Sequence, residues 1–323
     1  MDDGKKSKWF LATFLLIIES FKESIIRKSR KEACTWVIPA NFVASSQEPR
    51  ITWLGHATFL IQINGKNILT DPIFGNLSWW FSRMMEVKNS VKDLPTIDYV
   101  ILSHNHPDHM DPHSLKDLRL YSPQVKVLVP FGDKAWFDKQ EFVGASEHMW
   151  WDKIEELGIN FHFLPARHWS QRGLFDRNKS LWGSWMIEAN GFHIYFAGDT
   201  AWGPHFSLIG KLFPSIQVAL MPIGPAEPKA WMQDTHISAE QAGQAFLKLQ
   251  AKYFVPMHWG TFYLGMDKFK EPIHRLKQWW EKNRSRCKNK MLHIVKVGES
   301  MQYAWQQVKT LPRLRKKSKS VQI

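Results

Sequence analysis

Cysteine is scarce in this sequence, and long apolar runs are missing from it. The 323 residues include two cysteines, Cys34 and Cys287, which are too few for a disulfide framework or a cysteine-based zinc finger. Two thiols fit a reducing compartment such as the cytoplasm. No apolar run reaches the roughly 20 residues that a membrane-spanning helix needs, which excludes a polytopic membrane protein. With 44% hydrophobic and 23% charged residues, the composition predicts a globular fold.

Acidic residues are few in the C-terminal part of the chain. The net charge of +13 comes from the segment 268–323, which has 16 Lys and Arg residues against three Glu residues. Its last part, residues 306–323, is predicted to be a basic tail. Such a tail favours contact with an anionic surface, either membrane or nucleic acid, or it serves solubility as a solvated segment.

The first 47 residues are predicted to form an appendage before the main domain. Apolar residues recur every three to four positions at Phe10, Phe14, Ile17, Phe21 and Ile25, which is the spacing of an amphipathic helix. Three roles remain open for this helix. It lies on a membrane surface, packs on the domain or a partner, or serves as a signal or anchor.

The strongest pattern is a cluster of histidines directly after a predicted strand. The motif Ser103-His104-Asn105-His106-Pro107-Asp108-His109 follows the apolar run 97–102. Three imidazoles and a carboxylate within six residues indicate a metal site, and both ligand types suit zinc. In a turn, His104 and His106 can face one ion while Asp108 and His109 face another about 3.5–4 Å away.

Three later segments repeat the arrangement of a short apolar strand followed by a ligand-type side chain. They place His168, Asp199 and His258 after the runs 161–165, 192–197 and 253–257. With the cluster above, these residues offer five histidines and two aspartates. That number is enough for two three-ligand sites and a carboxylate that bridges them.

Together these motifs resemble the metallo-β-lactamase superfamily, and in particular its N-acyl-phosphatidylethanolamine phospholipase D-like branch. The HxHxDH pattern is followed by His168, Gly198-Asp199-Thr200 and His258 in the superfamily's order. Segments similar to those of the branch are Trp53–Thr58, Leu69–Pro72, Asn178–Trp185 and Met221–Gly224. The resemblance covers about residues 48–300. It implies an α/β (α+β) fold, a four-layer αββα sandwich, which we expect to occupy residues 48–305.

The resemblance also implies two Zn²⁺ ions per chain, although His and Asp ligands accept iron or manganese as well. It assigns one ion to His104, His106 and His168, the other to Asp108, His109 and His258, and the bridge to Asp199. A hydroxide shared by the two ions would attack a phosphorus or carbonyl centre, because zinc lowers the pKa of bound water to about 7. Asp108 is therefore expected to be catalytic as well as a ligand.

Three further polar residues are expected beside this centre. Asp71, after the predicted strand 66–70, either accepts a hydrogen bond from a ligand histidine or caps the turn before Pro72. His56 either supports the centre in the same way or is a structural histidine. The resemblance places His236 near the substrate headgroup, where it would be a catalytic residue that aids the leaving group.

Tryptophan is abundant, with 17 residues. Trp79 and Trp80, together with Met84 and Met85, are candidates for an apolar lip that contacts acyl chains, because Trp favours the bilayer interface. Packing in the core is the alternative for them. It is the expectation for the tryptophan pairs at 150–151 and 279–280.

The sequence thus predicts a binuclear zinc hydrolase, a phospholipase D-type phosphodiesterase that acts on N-acyl-phosphatidylethanolamine or a related phospholipid. The expected partners are this substrate, or another small molecule, and a membrane contacted peripherally from the cytoplasm. A homodimer is left open and a nucleic-acid partner is disfavoured. The alternatives are a soluble metal-dependent hydrolase of the same fold, namely a lactonase or a nucleic-acid or nucleotide phosphodiesterase, which a basic tail would suit.

Overall fold

A computed structural model describes residues 27–78 and 81–305 of the chain. The predicted N-terminal helix around residues 10–25, the candidates Trp79 and Trp80, and the basic tail 306–323 lie outside the described residues. Within the described part, no helix combines the length and the apolar character that crossing a bilayer requires.

Fourteen strands form two sheets of seven strands each within the described residues. The first sheet has the order β14-β1-β2-β3-β4-β5-β6 and the second the order β13-β12-β11-β10-β9-β8-β7. The strands are β1 Arg50–Trp53, β2 Phe59–Ile63, β3 Lys66–Thr70, β4 Tyr99–Ile101, β5 Lys126–Pro130, β6 Gly144–His148, β7 Lys153–Glu156, β8 Ile159–Leu164, β9 Ser184–Ala189, β10 Phe192–Phe196, β11 Ile216–Pro222, β12 Tyr253–Met257, β13 Met291–Leu292 and β14 Ser300–Gln302.

Two of the helices begin at residues whose side chains cap the helix N-terminus. Asp111, directly before Pro112, accepts a hydrogen bond from the backbone N–H of Ser114 at 3.0 Å, and Ser238 caps the next long helix with Gln241 in a capping box. The helices are α1 Arg27–Cys34, α2 Pro112–Tyr121, α3 Lys134–Lys139, α4 His205–Leu212, α5 Lys229–Met232, α6 Ala239–Leu249 and α7 Glu271–Lys282, with a 3₁₀ turn at Val91–Asp93.

Alternating side chains of the first sheet divide between two apolar layers, as the period of a strand requires. Phe59, Ile61 and Tyr99 face the second sheet and join the large core with Phe161 and Trp185. The neighbouring positions face the opposite way and pack against α2 and α3; they are Leu60, Val100, Leu102, Val127 and Val129. The second sheet carries α6 against β11, with α4 and α7 beside α6. The predicted sandwich of two mixed sheets between helices is thereby confirmed.

One edge of the sandwich collects the ends of many strands. Strands β3, β4, β5 and β6 are parallel, and so are β10, β11 and β12. β8 runs in the same direction as β10, because each is antiparallel to β9. The segments that follow β3, β4, β8, β10 and β12 therefore emerge together. These segments contain Asp71, the histidine motif 103–109, His168, Asp199 and His258.

Candidate metal centre

The segment after β4 brings three histidine nitrogens to one point. Nε2 of His104 lies 2.8 Å from Nδ1 of His106, and Nε2 of His168, from the segment after β8, lies 3.3 Å from the same Nδ1. The nitrogen of each ring lies within 4.8 Å of the other two. This arrangement suits a single cation with three imidazole ligands.

A second group lies beside the first and combines a carboxylate with imidazoles. Nε2 of His109 is 3.4 Å from Oδ2 of Asp108 and 3.2 Å from Nε2 of His258. The segment after β12 supplies His258, so this group joins the two sheets. His56, in the turn between β1 and β2, completes the cluster with its Nε2 3.0 Å from Oδ2 of Asp108.

Asp199 lies between the two groups. Its Oδ1 is 3.0 Å from Nε2 of His258, and its Oδ2 is 3.3 Å from Nε2 of His109 and 3.8 Å from Nε2 of His168. The preceding Gly198 has φ +57°, and a Cβ there would collide with the side chain of Ser103. Glycine is therefore needed where the chain turns to place this carboxylate in the centre.

A single buried carboxylate orients one histidine of each group. Oδ2 of Asp71 accepts a hydrogen bond from Nδ1 of His109 at 2.6 Å and from the hydroxyl of Ser103 at 2.5 Å. Because that hydroxyl donates to Asp71, it accepts from Nδ1 of His104 at 2.9 Å. Both histidines are left with Nε2 facing the centre, which is the arrangement that ligand histidines require.

Backbone carbonyls orient two more rings in the same way. Nδ1 of His168 donates to the carbonyl of Thr235 at 2.7 Å, and Nδ1 of His258 donates to the carbonyl of Gly224 at 3.0 Å. Each ring therefore presents Nε2 to the centre. Oδ1 of Asp199 is buried and lies 3.0 Å from Nε2 of His258, so this carboxylate oxygen faces the histidine cluster.

The electrostatics of the centre suit cations. Burial lowers the pKa of His106 to about 4 and that of His168 to about 3, which keeps both imidazoles neutral. Burial acts to raise the pKa of Asp199, but the attraction of His258 and His109 outweighs it and holds the carboxylate ionised. Burial acts to lower the pKa of His109 and His258, but the nearby carboxylates outweigh it, raising the pKa of His109 and bringing that of His258 to about 9. These two rings therefore give up a proton when a cation binds, and the deprotonated imidazoles with ionised carboxylates form the donor set that divalent zinc, iron or manganese binds. The residues present therefore fit a metal pair.

Three residues of the cluster adopt backbone conformations that are rare outside glycine. The φ angles of His56, Asp71 and His258 are +54°, +32° and +59°. Such conformations cost about 1–3 kcal/mol each and persist where the surroundings impose them, commonly at functional sites. Buried Arg83 helps to impose the turn at His56, because it donates to the carbonyl of Leu54 at 3.1 Å.

His236 lies at the mouth of the centre. Its Nδ1 is 3.7 Å from Oδ2 of Asp199 and makes no hydrogen bond to a described residue, although it is buried. Burial lowers the pKa of this imidazole to about 3. The ring is therefore neutral, and it faces the same space as the ligand-type side chains.

Other residues at this edge escape sequence reasoning. Arg172 donates to the carbonyls of Asn105 and Met110, at 3.2 and 2.8 Å, and so ties together both ends of the histidine segment. Trp169 packs its ring 4.4 Å from that of His106, centroid to centroid. No sequence pattern identifies Arg172 as part of the site. Trp169 could have been identified, because it directly follows His168.

The methionines proposed for an apolar lip have a different position. Met84 and Met85 are buried in the core, so they do not form an exposed lip. Met84 instead lines a small pocket, with a cavity volume of about 30 Å³, that adjoins His56 and His258 and is walled by Phe262, Leu264 and Phe269. Trp279 is buried and Trp280 packs against the core, as expected, whereas Trp151 is 47% exposed.

Comparison with known proteins assigns the family. Residues 66–259 match the model of the beta-lactamase superfamily domain. An N-acyl-phosphatidylethanolamine-hydrolyzing phospholipase D of Caenorhabditis elegans is 32% identical over 77% of this chain and 74% of its own length. A mitochondrial protein of the same name from Saccharomyces cerevisiae is 33% identical over 73% of this chain, which spans about half, 53%, of the yeast protein.

The fold has counterparts among solved structures. A metallo hydrolase from the archaeon Ignicoccus hospitalis superposes with a TM-score of 0.62 and 23% identity, over 80% of this chain and 99% of its own. The family match, the facing sheets and the histidine-aspartate cluster agree with one another. This chain belongs to the metallo-β-lactamase superfamily and is a metal-dependent hydrolase of that fold.

Proposed function

We propose that this protein is a phospholipase D-type phosphodiesterase that hydrolyses N-acyl-phosphatidylethanolamine or a related phospholipid. The observation that carries the proposal is a two-group cluster with an apolar pocket against it, in a chain 32% identical to the worm phospholipase. A phosphodiester with acyl chains offers both the centre that such a cluster hydrolyses and the surface that such a pocket buries.

The proposed centre holds two zinc ions. His104, His106 and His168 would hold one ion, Asp108, His109 and His258 would hold the other, and Asp199 would serve both. Such ions supply activated water at neutral pH and neutralise charge on phosphoryl oxygens. The chain itself orients four of the ligand histidines, through Asp71, Ser103 and the carbonyls described above.

His236 is proposed to act on the leaving group. Its imidazole is neutral, because burial holds its pKa at about 3, and a neutral ring can donate one hydrogen bond to the leaving oxygen. His236 also lines a polar pocket with Gln233, Gln241 and Arg275. We propose that this pocket receives the polar headgroup while the apolar side chains around Phe262 contact an acyl chain.

Membrane association belongs to the same proposal. A phospholipid substrate resides in a bilayer, so the enzyme would work at a membrane surface as a peripheral protein. The basic C-terminal segment of the sequence supports contact with anionic lipid, at about 1 kcal/mol for each basic residue near the surface.

Product analysis by mass spectrometry tests the proposal. Zinc-loaded protein is incubated with mixed micelles that contain N-acyl-phosphatidylethanolamine and ordinary phospholipids, beside the Asp108→Asn variant and the surface control Asp117→Asn. We expect N-acylethanolamine and phosphatidate from wild type and from the control, and neither product from Asp108→Asn. If two metals bind per chain but no lipid is hydrolysed, the lipid assignment is wrong, and lactones and nucleotide diesters become the next substrates.

A further inference from the structure

Five of the exposed large apolar side chains lie at the edge of the sandwich that holds the metal centre. They are Phe131, Met149, Trp151, Leu174 and Phe175, with 47–85% of their surface exposed. We propose that these residues form a docking surface, called here the apolar rim, that inserts into an anionic phospholipid membrane. The inference rests on the proposed lipid substrate and adds the part of the surface that reaches it.

Strand directions place the apolar rim beside the centre. Phe131 follows β5 and Met149 follows β6, and both strands run parallel to β4, which leads into the histidine segment. The backbone N–H of Leu181 donates to the carbonyl of Phe131 at 2.8 Å, and that of Phe131 donates to the carbonyl of His148. The loop 171–183 and the segments after β5 and β6 therefore form one continuous edge.

The tip of the rim is a structured loop with two adjacent apolar side chains. Leu174 and Phe175 are each 85% exposed. Asp176 accepts hydrogen bonds from the backbone N–H groups of Arg172 and Gly173, the latter at 2.8 Å. The carboxylate of Asp176 therefore closes the loop, without any contribution from the two apolar side chains.

Charge around the tip matches an anionic surface. Arg177 and Lys179 flank the loop, and neither pairs with a carboxylate among residues 27–78 and 81–305. The guanidinium of Arg177 lies 4.6 Å from the ring centroid of Trp169, whose ring contacts His106. Three carboxylates of this edge accept hydrogen bonds from backbone N–H groups: Asp176 as above, Glu147 from Gly132 and Asp152 from Met149.

Apolar tips flanked by cations are the composition of a membrane-interface segment. The tip lies next to Trp169 and hence to the opening at His106. A bilayer on this edge would present a headgroup to the centre without removing the lipid from the membrane. A water-soluble substrate would not require two adjacent apolar side chains that are each 85% exposed at this position.

The test compares two double variants of the full chain. Leu174→Ser with Phe175→Ser removes the tip. Val143→Ser with Leu157→Ser is the matched control, because these residues are 99% and 71% exposed and lie at the opposite edge, before β6 and in the β7–β8 turn. Binding to vesicles of phosphatidylcholine, with and without phosphatidylserine, is measured by co-sedimentation, and turnover is measured on a monomeric short-chain phosphodiester.

We expect the tip variant to bind mixed vesicles at least tenfold more weakly than wild type, from the loss of two inserted apolar side chains, and the control to bind normally. Arg177→Gln should reduce the preference for phosphatidylserine. Turnover of the monomeric diester should be unchanged in both double variants.

Unchanged vesicle binding in the tip variant would overturn the docking proposal. So would dimers of wild type that dissociate in the tip variant, since the rim would then contact a second copy of the chain. Vesicle binding does not depend on which lipid is hydrolysed. Loss of the proposed activity with normal tip-dependent binding would therefore count against the substrate and not against the rim.

Discussion

Asp71 accepts a hydrogen bond of 2.6 Å from Nδ1 of His109 and reaches Nδ1 of His104 through the hydroxyl of Ser103. One buried carboxylate therefore orients a histidine in each half of the cluster. The two proposed metal sites share this orienting group and also Asp199, so we expect their metal affinities to be coupled.

Replacing Asp71 tests this coupling. Asp71→Asn removes the charge and one of the acceptors that Ser103 and His109 share, so we expect metal affinity to fall 10–100-fold at both sites. Competition with a chromophoric chelator measures the affinity, and circular dichroism checks the fold. The exposed Asp117→Asn is the control. A loss confined to one of the two metals would contradict the shared role.

Metal stoichiometry tests the division of the ligands into two groups. Wild type is expected to bind two metal ions per chain. His168→Ala and His258→Ala should each retain about one, because each removes a ligand from a different group. Elemental analysis after dialysis measures the number, and the exposed His274→Ala should behave as wild type. A wild-type content of one metal per chain would refute the binuclear assignment.

The glycine before Asp199 should tolerate no side chain. Gly198→Ala adds a Cβ that collides with Ser103 at a backbone φ of +57°, so we expect the free energy of unfolding to fall by roughly 2–4 kcal/mol. Urea denaturation measures it. Gly75→Ala is the matched control, because a Cβ there meets no atom within 4 Å. Equal stability of the two variants would show that the Gly198 turn relaxes.

The buried carboxyl of Asp133, which is not one of the proposed metal ligands, should make the stability of the fold depend on pH. Burial raises the pKa of this carboxyl from 3.8 to about 6, and its Oδ1 accepts from Nδ2 of Asn105 at 2.9 Å. The folded state therefore prefers the protonated acid. The resulting stability is complete below about pH 4 and is lost as the pH rises through about 6.

Asp133→Asn removes this titration. Relative to the variant, wild type should lose roughly 1–3 kcal/mol of unfolding free energy between pH 4 and pH 7, measured by urea denaturation at each pH. The surface variant Asp138→Asn should follow wild type throughout. A difference between wild type and Asp133→Asn that stays constant with pH would mean that the carboxyl is ionised in the fold.

The fold and the members of the cluster were predictable from the sequence because both rest on local signals. Short continuous apolar runs mark the strands that lead into the site, and each ligand-type residue follows closely after such a run. The sequence also predicts helices at 112–118, 238–250 and 268–284, the first capped by Asp111. The structure has helices at Pro112–Tyr121, Ala239–Leu249 and Glu271–Lys282, and the Asp111 cap is present.

Residues that act across long sequence separations were not predictable. Arg172 holds carbonyls more than 60 positions away, and Arg83 holds the turn at His56. The burial of Met84 and Met85 was not predictable either, because hydrophobicity alone does not distinguish a residue at the edge of a binding site from a residue in the core.

The sequence by itself determined which side chains can bind metal, since strand ends and residue types are local properties of the chain. Only the tertiary structure decided how they combine. Parallel strands from two sheets end at one edge, which brings His104 beside His168 and His109 beside His258, and which leaves Leu174 and Phe175 exposed next to them. That outcome depends on sheet order and on packing between distant segments, and no local pattern encodes it.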